Sequence, residues 1–288
     1  MKQLFRHALQ QAGISSRLLN VRRISGGSIN EAYVAQTEQG SYFIKYHRNA
    51  PERFFTLEAK GLQLIKSKNT IDVPEVINYS DEKGKAFLVL EWISGSKHSQ
   101  TDKRLGERLA ALHQTRGKKH GFHESTFIGT LQQPNGYYTN WLEYYRDRRL
   151  SSQLRLGIEN NHINGKRRSK LEKLLSELEC WIPNNIPPSY LHGDLWGGNW
   201  IVGQNGVPFL IDPSFLYGDR HFDLAFTEVF GGFSEAFYQA YEACYPTDRY
   251  YEDCKPLYQL YYLLVHLNLF GEIYGSDVDK IVNYYIGD

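Results

Sequence analysis

Short runs of alternating hydrophobic and polar positions fill residues 1–91 and predict strands, with two helical stretches among them. The predicted elements, in chain order, are a helix over 4–11, strands over 21–24, 31–36 and 41–46, a helix over 52–66, and strands over 76–79 and 86–91. Downstream of Ser94-Gly95-Ser96 the apolar residues recur at helical spacing, as at Leu105, Leu109 and Leu112. Further helical patterns cover residues 138–150, 169–178, 222–244 and 257–270.

This change of pattern predicts an α+β fold with two lobes. We expect a small β-sheet lobe over residues 1–91, a polar, glycine-containing hinge over 92–96, and a larger, mainly helical lobe over 97–288. Ligand sites favour the cleft between two such lobes. The residues that carry chemistry are therefore expected on both sides of the hinge.

Composition and charge narrow the possible partners. The 288 residues contain 33 Lys and Arg against 32 Asp and Glu, so no global field attracts nucleic acid or an anionic membrane. The longest apolar stretch, 257–270, is shorter than the roughly 20 residues that span a bilayer. The first residues lack the apolar run of a secretory signal, and we expect a cytoplasmic protein. The three cysteines are too widely spaced for a disulfide framework or a zinc site.

The densest chemical signal is the stretch YLHGDLWGGNW over residues 190–200, followed by FLIDP over 209–213. Between them, Asn205-Gly206 predicts a two-residue hairpin turn, which places Trp200 opposite Ile211 and Asn199 opposite Asp212. An amide oxygen and a carboxylate would then project from one end of the hairpin and suit Mg²⁺. The alternative is an ordinary hairpin with a capping Asn and a turn Asp.

The spacing of His192, Asp194 and Asn199 matches the H-x-D-x-x-x-x-N pattern of kinase catalytic loops. In that arrangement Asp194 is the catalytic base, which accepts the proton of an attacking hydroxyl while a metal on Asn199 and Asp212 holds the phosphates. Trp196 and His192 flank Asp194 and are assigned to the substrate side of the site. We expect His192 to shape the loop rather than to transfer protons.

The N-terminal lobe supplies a candidate phosphate site. Gly26, Gly27 and Ser28 lie between two predicted strands, where a glycine-rich turn brings backbone N–H groups against phosphate oxygens. A plain hairpin is the alternative interpretation. Lys45 lies in an apolar strand and needs an anion, and Glu58 lies on the apolar stripe of the next predicted helix, so we expect these two side chains to pair.

The junction of the two lobes is the candidate adenine site. Glu91, Trp92 and Ile93 lie there, and their backbone groups are predicted to bind an adenine edge, with Trp92 as an apolar wall.

These motifs resemble the fructosamine kinase, or ketosamine-3-kinase, family over nearly the whole chain. The most discriminating residue is Trp196, because related kinases share H-x-D but generally lack that Trp. The other matching segments, in family order, are GGSI at 26–29, FIK at 43–45, EAKGL at 58–62, LGERLAALH at 105–113, FIG at 127–129, NW at 140–141, RL at 149–150, IDP at 211–213 and YGDR at 217–220.

The resemblance implies a bilobal protein-kinase-like fold of the aminoglycoside phosphotransferase type, with a small antiparallel sheet in the N-lobe. It implies ATP- and Mg²⁺-dependent phosphorylation of the 3-hydroxyl of a ketosamine, either a small molecule or a glycated protein lysine, which frees the amine. Carried over, Lys45 and Glu58 orient the phosphates. Some members link two chains through a cysteine in the glycine-rich loop, but here no cysteine precedes Cys180. We expect a monomer or weak dimer.

Alternative functions stay open. A kinase for an aminoglycoside or choline-type acceptor would keep the same catalytic residues, and a nucleotide-binding pseudokinase would use them without turnover. Asp212-Pro213-Ser214 replaces the D-F-G of protein kinases and no A-P-E follows, which disfavours a protein kinase. Asp223 is expected to brace the C-terminal lobe. The choice among ribulosamine, erythrulosamine and fructosamine depends on pocket shape.

Overall fold

An antiparallel five-stranded sheet, in the order β1-β2-β3-β5-β4, is built from the N-terminal part of the chain. The structure is a computed structural model that describes residues 2–24 and 29–287. The predicted phosphate turn Gly26-Gly27-Ser28 lies outside the described residues. The elements of this part are α1 (Lys2–Gln11), β1 (Leu18–Ile24), β2 (Glu31–Thr37), β3 (Gly40–His47), α2 (Phe54–Lys66), β4 (Val76–Ser80) and β5 (Ala86–Glu91).

Two helices cover the two faces of this sheet, which explains why its central strands are apolar at almost every position. Ile44 and Val89 pack with α1 residues such as Phe5 on one face. Leu88, directly opposite Lys45 in the β3–β5 register, packs with α2 on the other face. Successive side chains of a strand point to opposite faces. Lys45 is therefore on the face that α2 covers.

The rest of the chain is mainly helical, with four short strands in a second sheet of order β10-β13-β6-β9. The elements are α3 (Thr101–Gln114), β6 (His120–Phe122), β7 (Thr126–Ile128), β8 (Leu131–Gln133), β9 (Gly136–Tyr138), α4 (Trp141–Tyr144), a π-helical turn (Tyr145–Leu150), α5 (Ser151–Glu159), α6 (Gly165–Ser176), β10 (Ser189–Leu191), β11 (Trp200–Val202), β12 (Pro208–Leu210), β13 (Leu216–Gly218), α7 (Arg220–Thr227), α8 (Glu235–Cys244), α9 (Tyr251–Phe270) and α10 (Gly275–Ile286). Most of α9 is buried, and it is the central helix of this part. Within the described residues, no helix has the length and apolar character needed to cross a membrane.

Four predicted helices differ from the structure. Those predicted over 169–178 and 257–270 begin earlier, at Gly165 and Tyr251, and the first of them ends at Ser176. The helix predicted over 222–244 is wrong as a single element, because Gly231 and Gly232 adopt φ of 71° and 95° and separate α7 from α8. The helix predicted over 138–150 begins only at Trp141, where the Asn140 side chain accepts a hydrogen bond from Glu143 N and caps it. No pattern along the chain predicted α5, α10 or the short strands of the second sheet.

Gly106 gives a test of how α3 packs on α8. A Cβ at this position would lie 2.3 Å from Phe237 O and 2.9 Å from Tyr241 N, and both of these atoms belong to the backbone of α8. Alanine is the better helix former by about 1 kcal/mol, yet overpacking a tight contact costs about 1–3 kcal/mol. We therefore expect Gly106→Ala to lower the melting temperature measured by circular dichroism. Lys103→Ala, on the exposed face of α3, should leave it nearly unchanged; an unchanged melting temperature for Gly106→Ala would contradict this packing.

Candidate active site

The hairpin that carries the candidate metal ligands has a longer loop than the sequence predicts. Gly203 N donates to Val207 O at 2.8 Å and closes a three-residue loop over Gln204–Gly206, with Asn205 at φ 56°. The predicted two-residue turn is therefore wrong. An Asn-Gly pair accepts positive φ in both kinds of loop, so this sequence signal does not fix the loop length.

The extra loop residue shifts the register by one position. Trp200 pairs with Leu210 and not with Ile211. Ile211 N donates to Asn199 O at 3.0 Å, so Asp212 comes one residue after the pair that it was predicted to join. Asp212 has a left-handed φ of 57°, at which the chain turns sharply, and it still lines the same cavity as Asn199.

Asp194 lies in the loop between β10 and β11, which is fixed by its own side chains. Asn199 Nδ2 donates to the backbone oxygen of Asp194 at 2.7 Å and to its Oδ2 at 3.0 Å. Burial raises the pKa of Asp194, and the nearby Asp212 carboxylate raises it further. The hydrogen bond from Asn199 lowers this pKa only in part, so the pKa of Asp194 is about 7. Near neutral pH the protonated and the ionised forms of this carboxyl are therefore both populated.

His192 holds the loop from behind. Its Nδ1 accepts from Asp194 N at 3.2 Å and its Nε2 donates to Ile211 O at 2.7 Å, which fixes the tautomer. The side chain is 0% exposed. The assignment of His192 to the substrate is therefore wrong, because both ring nitrogens are occupied and the ring does not reach the cavity.

Asp223 also holds the loop of Asp194 in place. The sequence indicated only that this residue braces the C-terminal lobe. Its carboxylate accepts from His192 N at 2.7 Å and from Gly193 N at 2.8 Å, and the buried His113 contacts it at 3.2 Å. The prediction that Asp223 braces this lobe is confirmed by these contacts. Its partners are backbone groups of the loop itself, a role that no spacing in the sequence indicated.

Lys45 brings the two halves of the site together. Its Nζ donates to Glu58 Oε1 at 2.7 Å, which is the predicted contact, and also to Asp212 Oδ1 at 2.5 Å. Only 5% of the residue is exposed. Burial lowers the pKa of the Lys45 ammonium, but the carboxylates of Asp212 and Glu58 outweigh burial and raise it overall. The ammonium therefore stays charged inside the protein.

These side chains meet in one cavity of about 650 Å³. Lys45 and Glu58 line it from the sheet side, and Asp194, Asn199 and Asp212 line it from the helical side. The remaining lining residues of interest are Ile24 and Ile29, which flank the predicted phosphate turn, and Trp196, Gly129 and Phe127.

The predicted adenine site consists of three residues at the end of β5 and just after it. Glu91, Trp92 and Ile93 are not among the described residues that line this cavity. Glu91 N instead donates to Glu75 O at 2.9 Å, and its carboxylate accepts from Glu75 N at 3.2 Å. A nucleotide-binding role for these three residues stays a prediction.

The donor set of the cavity fits a Mg²⁺ ion. Asn199 uses its Nδ2 on Asp194, which leaves Oδ1 as its available oxygen, and the Asp212 side chain is 38% exposed to the cavity. Among the described residues no cluster of three or more His, Cys, Asp or Glu side chains is placed to hold a metal. Mg²⁺ usually takes one or two protein ligands and completes its shell with water and phosphate, so two oxygen ligands suffice.

Trp196 and its loop are positioned by glycines whose role was not predicted. A Cβ on Gly198 would lie 2.3 Å from Trp196 Cη2, so the indole packs directly on the Gly198 backbone. A Cβ on Gly197 would lie 2.6 Å from Gly231 O and 2.9 Å from Gly232 Cα. The loop between β10 and β11, which we call the catalytic loop because it carries the candidate base Asp194, therefore packs on the loop between α7 and α8. The pair Gly231-Gly232, which interrupts a predicted helix, is the feature of the sequence that could have indicated this contact.

Comparison with known proteins identifies a matching family and several relatives. The family model for fructosamine kinase matches residues 1–287. A "Probable ketoamine kinase" of Enterococcus faecium is 38% identical over 266 residues, covering 91% of this chain and 94% of that protein. The chloroplastic protein-ribulosamine 3-kinase of Arabidopsis thaliana is 33% identical over 282 residues, covering 95% of this chain and 85% of that protein.

Solved structures agree on the fold. A crystal structure from Haemophilus somnus, assigned as a fructosamine-3-kinase, has a TM-score of 0.86 at 30% identity and covers 98% of this chain and 95% of that one. A choline kinase from Streptococcus pneumoniae has a TM-score of 0.66 at 16% identity and covers 98% of both chains. The second likeness concerns the fold alone. The bilobal protein-kinase-like fold expected from the sequence is confirmed.

The raised pKa of Asp194 predicts a stability effect with a definite sign. The ordinary value is 3.8 and the value in the folded protein is about 7, so between these pH values the folded state binds more protons than the unfolded state. The contribution of this residue to stability therefore falls as the pH rises through that window. We expect Asp194→Asn to melt at a higher temperature than the parent protein at pH 8 in metal-free buffer, with the difference shrinking towards pH 5.

The control for this measurement is Glu38→Gln, which removes a carboxylate from an exposed turn. Its melting temperature should follow that of the parent protein at both pH values. If Asp194→Asn melts at or below the parent temperature at pH 8, burial does not disfavour the ionised carboxylate.

Proposed function

The chain belongs to the fructosamine kinase family, and from this premise we propose that it transfers the γ-phosphoryl group of ATP to the 3-hydroxyl of a ketosamine. Phosphorylation there destabilises the adduct of sugar and amine, so that the amine is freed. The observation that carries the proposal is the meeting of Lys45, Asp194 and Asp212 in one cavity, beside Trp196.

The proposed base is Asp194. Its pKa of about 7 lies near the operating pH, where a general base combines a useful ionised fraction with a useful affinity for the proton. The hydrogen bond from Asn199 fixes Oδ2, which leaves Oδ1 to accept the proton of the acceptor hydroxyl. His192 and Asp223 hold this loop as positioning residues and do not touch the substrate.

The proposed phosphate site uses the other side of the cavity. The Lys45 ammonium, oriented by Glu58, faces the place where phosphate oxygens would bind and holds them in line with the acceptor. Asn199 and Asp212 would hold Mg²⁺, whose charge offsets that of the transferred phosphate group. Asp212 contacts Lys45 as well, so the metal ligand and the ammonium are positioned by one shared contact.

The charges of the cavity favour a ketosamine over an aminoglycoside acceptor. An aminoglycoside carries several ammonium groups, which carboxylates would recognise. The acidic residues among the described lining are Glu58, Asp194 and Asp212. Two of them are bound to Lys45, and the third is the proposed base, so none of the three is left to bind an acceptor ammonium.

An acceptor panel tests the proposed activity. ADP release with Mg-ATP would be measured against the ketosamines fructosyl-lysine, ribulosyl-lysine and erythrulosyl-lysine, with kanamycin and choline as competing acceptor classes. We expect turnover on ketosamines only, and Asp194→Asn should lower kcat by about 10²–10⁴-fold because it removes a general base. Glu38→Gln should keep full activity. Turnover confined to kanamycin or choline would contradict the ketosamine assignment.

Lys45→Met tests the phosphate site separately from the acceptor. It should lower kcat/KM for ATP by roughly 10²-fold, since a donor aimed at developing charge is lost. It should also lower the melting temperature, because it leaves Glu58 without its partner. The double variant Lys45→Met with Glu58→Gln should regain stability without regaining activity. Lys60→Met, which changes a lysine on the helix of Glu58 outside the cavity lining, is the control for ATP use. Normal ATP use by Lys45→Met would exclude the assigned role.

A further inference from the structure

Large aromatic side chains are exposed on one face of the helical part of the protein. Trp196 is 39% exposed, Phe230 41% and Phe270 52%, and the half-buried His266 lies between the last two. The ring centroids of Trp196 and Phe230 are 6.3 Å apart, those of Phe230 and His266 4.7 Å, and those of His266 and Phe270 5.6 Å. These four residues form one continuous surface, which we call the aromatic platform.

The aromatic platform adjoins the cavity of the candidate active site. At one end Trp196 lines the cavity, two residues after the proposed base. At the other end Leu269, next to Phe270, places its Cδ1 3.1 Å from where a Cβ on Gly129 would stand, and Gly129 also lines the cavity. A molecule that reacts at Asp194 and extends out of the cavity over Trp196 therefore meets this surface.

The position of Phe230 is set by the backbone. Gly231 and Gly232, in left-handed conformations, bring the loop between α7 and α8 against Gly197 of the catalytic loop. This contact places Phe230 edge-on to Trp196, with an interplanar angle of 83°. Edge-to-face geometry is a favourable arrangement for aromatic pairs. The aromatic platform is therefore ordered by the same contacts that order the catalytic loop.

The aromatic platform is uncharged. His266 Nδ1 donates to Tyr262 O at 2.8 Å, and burial lowers the pKa of His266, so its imidazole is neutral. The other three members are hydrocarbon rings and an indole. An exposed apolar surface of this kind marks a binding site for an apolar partner, and aromatic residues are typical anchors in such sites.

We propose that the aromatic platform binds the peptide that carries the ketosamine, so that the preferred substrate is a glycated lysine with an apolar residue beside it. This inference rests on the ketosamine kinase activity proposed above. With the sugar at Asp194, the lysine side chain crosses Trp196. An extended lysine side chain spans about 6 Å from its nitrogen to its Cα, which is close to the 6.3 Å between Trp196 and Phe230.

The peptide backbone then lies near Phe230, and a neighbouring side chain reaches His266 and Phe270. An adduct of a small amine ends over Trp196 and leaves the outer part of the aromatic platform uncovered. The aromatic platform therefore extends beyond the reach of a small amine and offers further contact to a peptide.

Two glycated peptides test this inference. They share one sequence and one ketose and differ only in the residue that follows the glycated lysine, which is Phe in one and Ser in the other. We expect kcat/KM for the Phe peptide to be about tenfold higher, through KM, because burying one apolar side chain of this size is worth at least about tenfold. In Phe270→Ser this ratio should fall towards one, and Phe230→Ser should reduce it in the same way.

The control variant is Tyr284→Ser, which removes an aromatic side chain that is 73% exposed on α10, outside the aromatic platform. It should keep the ratio of the parent enzyme. Free glycated lysine is measured in parallel to separate the two proposals. If no lysine adduct is phosphorylated, the proposed function fails and this inference fails with it. If free glycated lysine is phosphorylated but the two peptides react equally, or if Phe270→Ser keeps the ratio, only the peptide site is overturned.

Discussion

One buried ammonium group determines where the two halves of this protein meet. Lys45 is almost fully enclosed, and a buried charge is tolerated only when it is paired and hydrogen-bonded. Its two partners, Glu58 on α2 and Asp212 after β12, are far apart in the chain. The sheet, α2 and the hairpin end must therefore come together around it. The catalytic cavity is the space that remains beside this contact.

Burial is the main reason that the pKa of the proposed base is raised, and the same contact contributes to it. Burial raises the pKa of Asp194 most, and the nearby carboxylate of Asp212 raises it further. The ammonium of Lys45 lowers this pKa, but by less. The loop itself is held from behind, by His192 on Ile211 and by Asp223 on the loop backbone. Because these supports are buried, they fix the geometry without occupying the cavity. The carboxyl of Asp194 is left facing the cavity.

The contacts that local sequence patterns determine were predicted correctly. Lys45 and Glu58 were predicted to pair because each is a charged residue in an apolar pattern, and burial leaves such groups few alternatives. The hairpin register was wrong because an Asn-Gly turn accommodates two or three loop residues. The contacts of Asp223 depend on packing between distant elements. No spacing along the chain encodes them, and no spacing reveals that His192 is buried.

The error in the helix predicted over 222–244 has a different physical cause. A helical pattern broken by Gly231 and Gly232 violates local propensity, and such violations in a folded protein tend to fall at functional positions. Here the break allows the backbone to approach Gly197 closely enough that no side chain fits between them. That approach orders the loop of Asp194 and places Phe230 beside Trp196. The geometry of the base and the shape of the aromatic platform therefore depend on one backbone contact, so that a change in the aromatic platform at this point also disturbs the base.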